Sequence, residues 1–221
     1  MPINAPPRDP AQLPRELAVF PLSGAILLPR AELPLNVFEP RYLAMVEDAL
    51  RGERIIGMIQ PDEARPPCAS GPALFGVGCA GRITQFAETG DGRFIVTLTG
   101  LSRFRIAREM EVSTPYRRCA VDFSPYAGDL AACDGVEGRR QDVVAALRRF
   151  ARARGVRIDW KGVEDTPTEA LVNALAMMSP FGVAEKQALV EASTLDQRAA
   201  ALIAMSEFSL AESPAAKASL Q

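Results

Sequence analysis

Apolar and polar positions along this chain follow two different periods, and the places where the period changes mark the elements. From Phe20 to Leu50 a strongly apolar run is cut into short pieces by Pro21, Pro29, Pro34 and Pro40. Proline has no amide to give to a central ladder, so this punctuation predicts short edge strands and turns. Past Asn36-Val37-Phe38-Glu39 the spacing becomes helical: Leu43, Val46, Ala49 and Leu50 share a face, Pro40 suits the first helical turn and Gly52 suits the stop. From Arg54 to about Phe123 the period is that of strands. Ile55–Ile59 is a compact apolar run, and Phe94, Val96 and Leu98 alternate with Ile95, Thr97 and Thr99. Asp91-Gly92 precedes that run as a hairpin signal. Arg103 to Ile106 and Tyr116 to Phe123 alternate more weakly, which predicts a mostly antiparallel sheet with one wet face. The segment PDEARPPCAS between Gln60 and Gly71 reads as a mobile polar insertion.

Beyond a break at 124–138 the strand signal ends and helical patterns follow. Val143, Val144, Leu147, Phe150 and Ala151 form one stripe, ending at Gly155. Thr166-Pro167-Thr168-Glu169 reads as a capping box opening a helix from Leu171 to Met178, and Pro180-Phe181-Gly182 stops it. Two further helices are predicted over about Ala184 to Ala192 and Leu195 to Leu210, the second capped by Thr194 with Gln197. No internal repeat is found. The expected fold is α+β: a flexible arm at 1–16, a β-rich lobe holding one helix at 17–123, a linker at 124–138, a helical lobe at 139–211 and a flexible tail at 212–221.

Composition narrows the class. In 221 residues, 48% hydrophobic and 24% charged, there is the balance of an ordinary globular protein, long enough to bury a core without disulfides. A net charge of −2 predicts no whole-molecule attraction to nucleic acid or membrane. Met1 to Leu17 has five prolines and no continuous apolar segment behind a basic start, so no secretory signal is read there. The longest apolar tract, Leu17 to Pro29, is shorter than the roughly 20 residues a membrane span needs. A cytoplasmic location is expected, with Cys68, Cys79, Cys119 and Cys133 reduced, since none forms a C-x-x-C pair.

Two separated motifs carry a family resemblance. Pro34-Leu35-Asn36-Val37-Phe38-Glu39-Pro40-Arg41-Tyr42 resembles the motif that leads into the first helix of the Lon-protease N-terminal domain. Glu185-Lys186-Gln187-Ala188-Leu189-Val190-Glu191, followed by Arg198, looks like that family's Glu-Lys-Gln helix pair. The resemblance spans roughly Leu17 to Ala211, in family order. It implies a β lobe like the PUA-type barrels, here as a PUA-like pseudo-barrel followed by a C-terminal helical bundle. Pro34, Phe38, Glu39, Pro40, Arg41, Tyr42, Glu185, Lys186 and Gln187 are the family-marker residues, and a structural use is expected for them. Phe38 and Tyr42 would anchor the helix to the sheet, Glu39 would favour the positive N-terminal end of that helix, and Arg41 would pair with an acid nearby.

No catalytic residue, cofactor site or metal site is predicted. The chain has no histidine, which removes Ser-His-Asp and Cys-His nucleophiles and histidine metal sites together. Its three lysines, Lys161, Lys186 and Lys217, lie outside any serine-bearing glycine-rich context, and no Gly-Lys-Ser/Thr triplet exists for a phosphate loop. Gly76-Val77-Gly78-Cys79-Ala80-Gly81 matches G-x-G-x-x-G, but strand rather than helix follows it, so these glycines read as a strand bend or bulge. Arg139, Arg140, Arg148, Arg149, Arg152, Arg154 and Arg157 crowd one helical region; a phosphate-binding face and a solvated face are both open readings.

The resemblance therefore implies a non-catalytic protein-binding module that recognises exposed apolar or extended segments of unfolded or client proteins, or assembles with protease machinery. No membrane partner is expected. Pro61 to Ser70 and Pro21 to Leu35 are the expected contact regions. The alternative is RNA binding through the β lobe and the arginine-rich helix, against which stand the near-neutral charge and the 6% aromatic content.

Overall fold

The computed structural model describes residues 6–68, 70–131, 137–155 and 157–211. The chain divides between Ala132 and Cys133 into two compact units. In the first, β1 (Glu16–Pro21), β2 (Glu32–Val37), α1 (Pro40–Arg51), β3 (Ile55–Ile59), β4 (Val77–Glu88), β5 (Phe94–Glu109) and β6 (Arg118–Asp122) build one six-stranded sheet in the order β2-β5-β4-β3-β1-β6. A further β5–β6 pairing joins the far end back, so β1, β3, β4, β5 and β6 form a closed circuit. β1 runs parallel to β3; the other pairings are antiparallel.

One strand makes this closure possible. β5 is continuous where the sequence pattern suggests two pieces: Phe94 to Thr99 pairs with β2, and Arg105 to Glu109 pairs with β6. Between them the register against β4 shifts, Gly81 facing Gly100 while Ala80 faces Ser102, so Leu101 is an extra residue. Such a bulge bends and twists the strand, which lets its two halves serve different neighbours. The irregularity falls opposite Ala80 and Gly81 of the G-x-G-x-x-G stretch, with its extra residue on β5 rather than among the glycines. Gly57 and Gly78 flank Phe104, whose fully buried ring fills the circuit with Leu17, Val19, Ile59, Leu101 and Val121. A Cβ at Gly78 would stand 2.7 Å from that ring and 2.5 Å from the Met58 carbonyl oxygen.

Several expectations for this unit are corrected. The residues from 6 to 16 are not all a loose arm: Pro10–Gln12 is a short 3-10 turn capped by the Asp9 carboxylate on the Ala11 amide (2.7 Å), and Leu13 is buried in the core. Ile26, Leu27 and Leu28, between β1 and β2, are not strand but a loop plugged into the core, where apolar burial outweighs the missing ladder. The polar insertion after Gln60 carries its own bonds, Asp62 N to Ala73 O at 2.8 Å and a reciprocal Cys68–Gly71 pair. Arg117 ties it further, donating to the Pro72 carbonyl at 2.7 Å. Ser124–Leu130, expected as linker, is a 3-10 helix held on β5 through the Arg103–Asp129 ion pair.

α1 follows its pattern, with Glu39 as N-cap, Pro40 at the first helical position and Gly52 as C-cap. Its buried residues are Tyr42, Met45 and Val46. On its far side Asp48 accepts a hydrogen bond from the Tyr116 hydroxyl (2.8 Å). Burial first, then this bond and the Asp48 charge, push the Tyr116 phenol up to about 12, from an ordinary value near 10. The sign follows directly. A phenol held protonated in the folded state contributes stability that is whole below pH ~10 and is lost as pH rises through about 12. An alkaline titration followed by phenolate absorbance is expected to contain a late component that Tyr116→Phe removes; an unchanged curve in that variant would assign the late component elsewhere.

In the second unit α2 (Glu137–Arg154), α3 (Trp160–Asp165), α4 (Thr168–Met178), α5 (Val183–Glu191) and α6 (Leu195–Ala211) pack together. The core side of α2 is Val143, Ala146, Leu147 and Ala151, while Val144 is only half-buried. Thr166 does not cap α4: its hydroxyl donates back to the Gly162 carbonyl (2.6 Å), and Pro167 takes the N-cap position. At α6 the Gln197 amide donates to Thr194 Oγ1 (3.1 Å), but the return bond goes from the Ser193 amide to Gln197 (3.2 Å), one residue earlier than a capping box places it. The tail at 212–221 and Cys133 lie outside the described residues; the cysteines described, Cys68, Cys79 and Cys119, are free thiols.

Candidate functional site

The first family-marker segment falls at the margin of the sheet. β2 lies at the end of the strand order and is bonded on one side, to β5. Its phase can be read from the bulge where it begins: Gly100 N donates to Ala31 O and Arg30 N donates to Gly100 O, both at 2.8 Å, with Arg30 in the left-handed region (φ 62°). Alternation from that point gives Leu33, Leu35 and Val37 the bonds to β5 and turns the backbone groups of Glu32, Pro34 and Asn36 outward. Pro34 thus spends its missing amide on the open side. The edge offers carbonyls at three successive outward positions and amides only at Glu32 and Asn36, so a strand added here must supply a donor opposite Pro34.

Apolar side chains stand exposed around this edge. Phe38 is 62% exposed, Ile95 49% and Phe86 43%. Ile95 sits between Asn36 of β2 and Ala87 of β4 on the outer face. Phe86, on the opposite face, packs edge-on against Phe94 with ring centroids 5.0 Å apart. Phe38 was expected to anchor α1; instead Val37 turns inward, alternation sends Phe38 out, and the Arg93 guanidinium lies 6.0 Å from its ring. The residues after it do lock the strand-to-helix corner. The Glu39 carbonyl accepts from the Tyr42 and Leu43 amides (2.9 Å each), and its carboxylate takes Arg41 at 2.8 Å. Arg41 also covers the Tyr42 ring (4.5 Å), whose other neighbour is Phe20 at 4.2 Å. Burial raises the Tyr42 phenol above its ordinary value.

The second marker segment belongs to the helical unit, where its polar side chains make hydrogen bonds within the fold. Glu185 accepts from the Gly182 amide (2.7 Å), closing the N-terminus of α5. Lys186 is buried and donates to the Met177 carbonyl (2.9 Å), its ammonium pulled below the ordinary lysine value by desolvation. Gln187 donates to Glu191 (2.7 Å). Arg198, almost wholly buried, bridges the Leu189 carbonyl (2.9 Å) and the Asn173 side chain (3.0 Å).

Of the expected contact regions, Ile26 to Leu28 are core, and Asp62 and Cys68 of the insertion are held by the bonds described above; the edge strand remains. The sequence reading did not single out the exposed Ile95 and Phe86, though Ile95 carried a signal: it is an isoleucine on the polar phase of an alternating strand. Among the described residues no group of three or more cysteine or acidic side chains converges as a metal site, and no helix is long and apolar enough to cross a membrane.

Comparison with known proteins bears on this geometry. The model of the ATP-dependent protease La (LON) substrate-binding domain matches residues 16–205. Lon protease 2 of Sorangium cellulosum is 28% identical over 201 residues, covering 85% of this chain, and Lon protease 1 of the same organism is 31% identical over 192 residues, covering 83%. The chain spans 24% and 23% of those two proteins, in their N-terminal part. Among solved structures, a Lon N-terminal domain protein from Xanthomonas campestris aligns with TM-score 0.59 and 22% identity over 86% of this chain and 97% of its own. The N-terminal domain of a Mycobacterium avium complex Lon protease aligns with TM-score 0.64 and 18% identity over 87% of this chain and 98% of its own. At those identities the two structures speak for the fold.

Proposed function

The chain belongs to the LON substrate-binding domain family, and from that membership we propose that it is a non-catalytic module that captures extended, partly apolar segments of protein clients along the β2 edge. The observation that carries the reading is the coincidence of an open strand edge with Phe38, Ile95 and Phe86, exposed on both sides of it. Strand addition supplies main-chain hydrogen bonds that ignore client sequence, while apolar side chains favour unfolded over folded clients. Exposed clusters of this kind are a common mark of interaction sites. The matched region is a substrate-binding domain, so no proteolysis or ATP hydrolysis is assigned to these residues; assembly with a Lon-type protease is part of the proposal. We place its action in the cytoplasm, where cysteines such as Cys68, Cys79 and Cys119 stay reduced.

The test uses a permanently unfolded, carboxymethylated protein as client. Binding that persists at high salt is expected, because apolar contact and backbone bonding are weakly screened. Phe38→Ser together with Ile95→Ser is expected to weaken it by about tenfold to a hundredfold, the loss of two apolar anchors. Unchanged affinity in that double variant would remove β2 from the proposal. RNA captured instead, with an affinity falling steeply as salt rises, would favour the nucleic-acid alternative.

A further inference from the structure

α2 carries an arginine cluster in which two members are fully employed. Arg140 donates to the Thr166 and Val163 carbonyls (2.7 Å each) and to Glu164 O (2.9 Å), closing the end of α3, and Arg139 pairs with Asp196. The remaining outer face is different. Gln141, Val144, Ala145, Arg148 and Arg149 line a groove of about 600 Å³, with Glu164 as its acidic member, and Arg148, Arg149 and Arg152 line a second hollow of about 290 Å³. Arg149 reaches Glu207 at 2.7 Å in an exposed pair, and Arg148 lies 5.2 Å over the Trp160 ring. Surface pairs of this kind contribute little and are readily exchanged for a better acid.

We propose that this face docks an acidic amphipathic segment of a partner protein, its carboxylates on Arg148 and Arg152 and its apolar side on Val144 and Ala145. Two features favour that occupant. Arg148 and Arg152 are one helical turn apart, about 6 Å, which matches carboxylates at i and i+4 on an opposing helix. Val144 belongs to the apolar stripe of α2 yet is left half-buried at the groove floor, a position that an apolar partner side chain would finish covering. A nucleic acid fits less well, since among the described residues the groove's lining holds no aromatic side chain for stacking, Trp160 meeting it only beneath Arg148, and its wall holds an acid, Glu164.

Fluorescence anisotropy on the full chain tests this with a labelled peptide of about three helical turns, with glutamates at i and i+4 and leucines opposite. The same peptide with glutamine for glutamate is the control. The glutamate peptide is expected to bind and the glutamine peptide to bind at least about tenfold more weakly. Arg148→Gln with Arg152→Gln is expected to abolish that difference at unchanged far-UV circular dichroism, and Val144→Ser to weaken both peptides. Arg65→Gln, an exposed arginine of the other unit, is expected to change nothing. Equal binding of the two peptides, or indifference to the arginine double variant, would overturn the proposal. So would oligouridylate binding tighter than the peptide and lost in that variant, which would assign the face to nucleic acid, or a dimer that the variant dissociates, which would assign it to a second copy of the chain.

Discussion

Replacing Asp129 with alanine is expected to cost the β unit about 3–5 kcal/mol, the loss typical of a buried ion pair broken from one side. The carboxylate accepts three hydrogen bonds from one residue: the Arg103 backbone amide at 2.9 Å, and Nε and Nη2 at 2.8 Å each. Both side chains are almost wholly buried, and the guanidinium also lies 4.6 Å over the Tyr126 ring. Deleting the acid takes from a buried cation its carboxylate partner, and from a backbone donor its acceptor, on the bent strand that closes the circuit. Hydrogen exchange of the β5 and β6 amides reads this unit apart from the helical one. A loss near 1 kcal/mol, about the net value of one ordinary hydrogen bond, would mean that water reaches Arg103. Arg103→Met combined with Asp129→Leu is expected to recover part of the loss, because an apolar pair leaves no buried charge.

Gly100→Ala is expected to be comparably damaging, about 3 kcal/mol or more, since no side chain can move to make room for the methyl group. Its Cβ would lie 2.0 Å from the Leu28 carbonyl oxygen, 2.8 Å from the Leu28 carbonyl carbon and 3.3 Å from Pro29 Cα, all backbone atoms. The clash sits where the plugged loop crosses the bulge of β5, so relief requires withdrawing Leu27 and Leu28 from the core. Gly90→Ala, with no atom within 4 Å of the added carbon, is the matched control and is expected to fall within about 0.5 kcal/mol of the parent. Thermal unfolding of the three proteins decides the point; a Gly100→Ala melt matching the parent would mean that the loop is free to yield.

How much was legible varies with the range of the physics involved. α1 was readable because its signals are local: the proline and the apolar spacing lie within its own 12 residues and the glycine directly follows them. α5 and α6 were readable to within a residue or two for the same reason. The Thr166 capping box failed although its sequence was good, because the hydroxyl found the Gly162 carbonyl of the preceding helix, an acceptor that only the folded turn places within reach. Phe38 failed in a related way. Its size suggested an anchor, yet one step of alternation past the buried Val37 puts it in solvent, and the edge position of β2 leaves no neighbouring strand to cover it. The use of Arg103 and Asp129 was invisible, since residues 26 apart in sequence with no periodic relation meet only when the 3-10 helix folds back onto β5.

By itself the sequence determined that strands precede helices, where α1, α5 and α6 lie, the absence of histidine chemistry, and the family, through two motifs whose residues cap helices and lock a corner. Those properties depend on neighbours within a turn or a strand, where covalent spacing fixes geometry. Only the tertiary structure decided that β5 bends to close the circuit, that β2 is left as an open edge with its proline turned outward, and that Phe38, Phe86 and Ile95 stay exposed at that end of the sheet. Each of these depends on which distant segments pair and which remain unpaired, a competition among long-range contacts that no local pattern records.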